Sequence, residues 1–171
     1  MKRRTKRKNL LFFRYLAFGI EILLLWLLQS TPKLMPAVFG ATPFLLLAAA
    51  LSFSVNVDAV PAVVLGAVCG VPADISAFGT VGFFSVATVL VCYAQATVVG
   101  TYFNRNALTC SVFSAGSAAA VLFVYWLLFR VFAGYPECGL LLWTHYLPRA
   151  LYTAVCFLPL YFFNRWIVKH L

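Results

Sequence analysis

Charge is scarce in this chain. Only 10% of its 171 residues are charged, while 64% are apolar; a soluble domain carries roughly a quarter charged residues. No polar face is large enough to coat a water-soluble globule. The composition points to an all-α integral membrane protein, read as a single polytopic domain over residues 1–171. Acids are scarcest, with Glu21, Asp58, Asp74 and Glu137 as the four. Histidine occurs twice, as His145 and His170. Neither has a carboxylate or cysteine at ligand spacing. The five cysteines (Cys69, Cys92, Cys110, Cys138, Cys156) form no CxxC pair. That is neither a disulfide framework nor a zinc site, and buried thiols acting as small hydrophobes are expected. No HExxH, GxSxG or phosphate-loop pattern is present. The expectation is a protein without catalytic residues, metal or cofactor.

What is abundant is long apolar sequence with basic flanks. The net charge is +9, and Lys2, Arg3, Arg4, Lys6, Arg7 and Lys8 crowd the segment 1–9. Beside a membrane span such a run fixes topology and touches anionic headgroups, rather than binding nucleic acid. The start resembles a signal peptide, but "LLQSTPKL" stands where a small-x-small cleavage site would be, so a retained first span is expected. About 20 apolar residues are needed to cross a bilayer. Six runs qualify: 11–28, 35–55, a short third run at 59–72, 81–103, 108–132 and 146–168. With the N-terminus in the cytoplasm, ten cations fall inside, and Lys33, Arg130 and Arg149 are the three outside. That split obeys the positive-inside rule and places both termini in the cytoplasm. Tyr and Trp near the run ends suit the headgroup belts.

Two features stand out from the apolar background. Glu21 lies well inside the first run, where a charge costs about 2.5–3.5 kcal/mol or more. Arg14 stands two helical turns earlier on nearly the same face. Glu21 therefore reads as facing a partner with Arg14, as a neutral hydrogen-bonded group in the bundle, or as a transport residue. The second feature is "GAVCGVPADISAFGTVG", residues 66–82. Ala62, Gly66, Gly70 and Asp74 recur every four residues, a small-side-chain stripe along one helix face. Such stripes let backbones approach closely in lipid, either within the bundle or toward another protein. Ser111, Ala115 and Ala119 draw a similar stripe on the fifth run. Pro72 is expected to end the third helix. Asp74 is expected to cap backbone donors of the next helix, with Gly79 and Gly82 allowing a tight return.

Together these segments resemble the rod shape-determining protein MreD family of the bacterial inner membrane. The resemblance rests on the basic N-terminus, a first span ending "LLQST", "FGATPFLLL", the glycine-rich "GVPADISAFGTVG" and "TYFNRN" after the fourth run. The chain departs from the family in having Phe44, rather than an acid, after Pro43. It also reads Gly-Val-Pro-Ala-Asp where Gly-Leu-x-x-Asp is usual. The resemblance implies a non-enzymatic scaffold of the elongation complex that makes peptidoglycan. It implies binding to the single-span protein MreC and coupling of the MreB filament to RodA and its transpeptidase partner. It also implies a fold similar to the substrate-binding subunits of energy-coupling-factor vitamin transporters, which supplies the alternative function. That alternative requires a polar, ligand-sized pocket, for which Glu21, Gln95, Asn56 and Thr97 are the main candidates.

Overall fold

The computed structural model describes residues 2–31, 42–76, 82–102, 106–134 and 138–170, with side chains from Leu10 onward and that of Cys138 excepted. Among these residues every regular element is helical. Helix α1 spans Lys2–Ser30, α2 Leu45–Asn56, α3 Ala59–Ser76, α4 Phe83–Tyr102, α5 Ala107–Trp126, α6 Cys138–Leu141 and α7 Leu147–His170. A π-helical turn, Leu127–Val131, extends α5, and another, Leu142–Tyr146, joins α6 to α7. Among the described residues, five stretches are long and apolar enough to cross a bilayer: Leu10–Ser30, Ala59–Ser76, Phe83–Tyr102, Ala107–Val131 and Gly139–His170. Valine-rich runs such as α3 have modest intrinsic helix propensity. An apolar solvent overrides that preference, because only a helix satisfies every backbone group within its own segment.

Helix α2 is different. Its 12 residues are all buried. At 1.5 Å per residue it is about 18 Å long, well short of a hydrocarbon core of roughly 30 Å. The expected second span at 35–55 is therefore corrected: Thr42, Pro43 and Phe44 are not helical. Pro43 disfavours helix in the residue before it. Residues 35–41 lie outside the described ones. A helix that is apolar all round belongs in a core, and α2 packs against α1, α3, α4, α5 and α7. Phe53 meets Phe18 of α1 with ring centroids 4.8 Å apart.

The short helix is thus the second, not the third. Helix α3 has 18 residues and passes through Pro72 to Ser76. The expected stop at Pro72 is corrected for a local reason. Proline removes one backbone donor, the one that would bond the Val68 carbonyl a turn earlier, and helices in lipid tolerate such a loss. The six expected runs resolve into five long helices and one short buried one. The last helical run also starts earlier than 146, which places exposed His145 in the second π-helical turn.

Candidate functional site

The stripe on α3 packs against α4. Ala62, Gly66, Gly70 and Asp74 are all buried. A Cβ on Gly70 would lie 2.5 Å from Ser85 Cα and 2.5 Å from Thr88 Oγ1. One on Gly66 would lie 3.1 Å from Cys92 Sγ and 3.2 Å from the Thr88 carbonyl oxygen. The missing side chains let Thr88 Oγ1 donate across the seam to the Gly66 carbonyl at 2.9 Å, sharing its proton with the Phe84 carbonyl of its own helix at 2.6 Å. Cys92 Sγ reaches on to the Ala50 carbonyl of α2 at 3.4 Å. The other proposed stripe is corrected. Ser111, Ala115 and Ala119 are not on the buried face of α5, which is formed by Cys110, Ser114, Ala118, Val121 and Leu122.

Asp74 closes the top of the seam. Its Oδ1 accepts the Phe84 amide at 2.8 Å and its Oδ2 accepts the Ser85 amide at 3.0 Å. Ser85 Oγ donates to the same Oδ2. The first amides of a helix have no partner within it and carry its partial positive charge. Here a carboxylate of the preceding helix satisfies two of them. Gly82, just before α4, has φ +94°, a backbone region that glycine enters without strain. Gly79 lies outside the described residues. Lys2, Arg3, Arg4, Lys6, Arg7 and Lys8 lie in the first turns of α1, and their side chains are likewise outside the described ones.

Glu21 is buried between α1, α2 and α7. Asn164 Nδ2 donates to Glu21 Oε1 at 3.1 Å and to Ser52 Oγ at 2.8 Å. Glu21 Oε2 and Asn164 Oδ1 have no hydrogen-bond partner among the described residues. Arg14 lies instead over the Phe18 ring at 5.7 Å. Glutamine at position 21 keeps the acceptor and replaces an unpartnered oxygen with a donor, in a cluster where Asn164 Oδ1 has no partner among the described residues. Glu21→Gln is therefore expected to keep the thermal stability of the purified protein. Glu21→Leu strands an Asn164 donor and is expected to lose about 1 kcal/mol. Equal loss in both variants would show that the carboxylate itself is required.

A polar cavity of about 320 Å³ lies at the bundle end opposite both termini, where α1, α3 and α5 finish and α2, α4 and α7 begin. Its polar lining comes from Gln29, Thr42, Ser76, Tyr125, Arg130, Tyr146 and Arg149. The polar residues proposed for a pocket are elsewhere. Glu21 is in the α1–α2–α7 cluster, Gln95 donates to Ser114, Asn56 to the Ser52 carbonyl and Thr97 to its own helix. Helix α2 begins beside the cavity, and side chains from other helices cap it. Phe44 N donates to Thr153 Oγ1 at 3.0 Å and Leu46 N to Gln29 Oε1 at 3.1 Å. Helices α2 and α4 are thus both tied at their N-termini by distant side chains, an arrangement that suits a solvent with no water to satisfy them.

Sequence reasoning missed Asn164, Ser52, Gln29 and Thr153, and read Arg149 only as an outer cation. Their common signal is a polar residue inside or at the edge of an apolar run, which marks a buried contact without naming its partner. Of the thiols, Cys69, Cys92 and Cys110 are buried and outside any disulfide. His170 stacks on Trp166, and no group of three metal-ligating side chains occurs among the described residues. No protein family model, curated protein or solved structure matches this chain.

Proposed function

We propose that this chain is a non-enzymatic scaffold of the bacterial cell-elongation machinery, similar to the MreD family. The observation that carries the reading is the role of the segment that carries the resemblance. "GVPADISAFGTVG" supplies Gly70 to the closest approach of α3 and α4 and Asp74 to the amides that open α4. A family-like segment with a structural task suits a scaffold that must present a rigid surface. The proposed partner is an MreC-like single-span protein, and through it RodA, its transpeptidase partner and the MreB filament. The proposed location is the bacterial cytoplasmic membrane, with both termini cytoplasmic and the chain crossing six times, five times by the long helices and once by the segment that contains the short α2. Reporter fusions at each end are expected to report cytoplasm; an extracytoplasmic C-terminus in an active fusion would contradict the six-crossing topology.

One observation favours a second reading, the substrate-binding subunit of an energy-coupling-factor vitamin transporter. It is the polar cavity, whose size falls at the lower end of the range for small-molecule sites, about 300–1,000 Å³. Depletion in the native bacterium separates the two. The scaffold reading predicts that rod-shaped cells round up while vitamin uptake persists. Lost uptake with normal shape would favour the transporter.

A further inference from the structure

We propose that the cavity beside Arg149 binds an oxyanion group, phosphate or carboxylate, from a lipid headgroup or a small soluble molecule. The charge inventory of its walls carries the inference. The guanidinium of Arg149 lines the cavity, no Asp or Glu is among its described lining residues, and Arg130, in the same lining, has interactions of its own. The nearby carboxylate of Asp74 is engaged by the Phe84 and Ser85 amides. Arg149 Nε is buried and has no hydrogen-bond partner among the described residues. A buried cationic donor without an acceptor is costly, and an anion in the cavity removes that cost.

The arginine is also held in place. Its guanidinium lies over the Phe44 ring at 5.2 Å. Phe44 is fixed by the hydrogen bond that its backbone N–H donates to Thr153 Oγ1, and Thr153 Oγ1 in turn donates to the Arg149 carbonyl at 2.7 Å. Across the cavity Arg130 Nε donates to Tyr146 Oη at 3.4 Å. A planar guanidinium presents paired donors that match two oxygens of one phosphate or carboxylate. Among the lining residues, the hydroxyls of Tyr125 and Tyr146 are further donors. Phe44 and Phe84, with centroids 4.8 Å apart, and Tyr125, stacked on Phe84 at 5.1 Å, give one side of the cavity an aromatic face for the rest of the ligand. The site requires neither proposed function, because a scaffold and a transporter subunit would both meet anionic lipid and soluble anions at this end of the bundle.

The test uses the whole chain purified into nanodiscs of phosphatidylcholine alone or with phosphatidylglycerol. Inorganic phosphate is titrated into the first, against sodium chloride at equal ionic strength. Thermal midpoints are read in both, and retained phosphatidylglycerol is counted by native mass spectrometry. Phosphate or phosphatidylglycerol is expected to raise the midpoint of the wild-type chain. Arg149→Gln should weaken the response by about tenfold or more in apparent affinity. Arg130→Gln and Tyr146→Phe should weaken it less, and they carry the test if Arg149→Gln does not fold. Arg14→Gln, on α1 away from the cavity, should leave it unchanged. A response to phosphate identifies a soluble oxyanion as sufficient, and a response to phosphatidylglycerol alone identifies the headgroup. No response to either, or equal loss in Arg14→Gln, would overturn the proposal.

Discussion

Gly70→Leu is expected to abolish the folded bundle, and Gly70→Ala to lower its stability by about 2 kcal/mol or more. Gly66→Ala should stay within about 1 kcal/mol of wild type. The difference follows from what each new Cβ meets. At Gly70 it meets Ser85 Cα at 2.5 Å, a backbone atom that moves only with the whole of α4. At Gly66 it meets the Cys92 side chain at 3.1 Å and the Thr88 carbonyl oxygen at 3.2 Å, and a shift of a few tenths of an ångström relieves both. Replacing glycine by alanine inside a helix gains about 1 kcal/mol of propensity, enough to offset the second strain but not the first. Helices in lipid have no hydrophobic force to hold them together once close packing is lost. Val68→Leu, on the exposed face of α3, is the control and should be neutral. Thermal unfolding of the four purified variants gives the order; a Gly70→Ala protein as stable as Gly66→Ala would show that the seam is looser than described.

Asp74→Ala should cost about 3 kcal/mol or more, because it leaves the Phe84 and Ser85 amides at a buried helix start without acceptors. Asp74→Asn should fall between alanine and wild type. Simple cap reasoning expects asparagine to keep most of the function of aspartate. The two-armed geometry revises that expectation. Both carboxylate oxygens accept a backbone amide, and asparagine has one oxygen to offer. Its amide nitrogen would face a second donor at Ser85 and can bond only to Ser85 Oγ. Amide hydrogen exchange checks this residue by residue. Phe84 and Ser85 should both be protected in wild type, one should lose protection in Asp74→Asn, and both in Asp74→Ala. Full protection of both in the alanine variant would rule out the cap.

How far the sequence could be read depended on the range of the interaction. The four-residue spacing of Ala62, Gly66, Gly70 and Asp74 defines a helix face before any partner is known. It does not say that α4 covers that face. The helical, membrane-spanning character of most runs is legible because lipid leaves the backbone little choice. The length of α2 is not legible, because its burial on all sides comes from the helices around it and apolar sequence looks the same against lipid or protein. Pro72 misled because proline is a helix breaker on average, while one lost donor is tolerated near the end of an apolar helix. Asn164 and Glu21 are 143 residues apart, and Phe44 and Thr153 are 109 apart. No local pattern links such pairs. Arg149 was readable only as an outer cation; its unpartnered Nε and its ring contact with Phe44 emerge only when α7 packs against the start of α2.

The proposed scaffold function is tested most directly by what accompanies the chain out of its native membrane. The measurement is affinity purification of the tagged full chain in mild detergent, with mass spectrometry of the retained proteins, for wild type and Asp74→Ala side by side. The scaffold account predicts that wild type retains an MreC-like single-span protein together with wall-synthesis enzymes. It predicts that Asp74→Ala, with its α3–α4 seam loosened, retains less of that partner. Retention of an ATPase module in place of any wall-synthesis protein would contradict it.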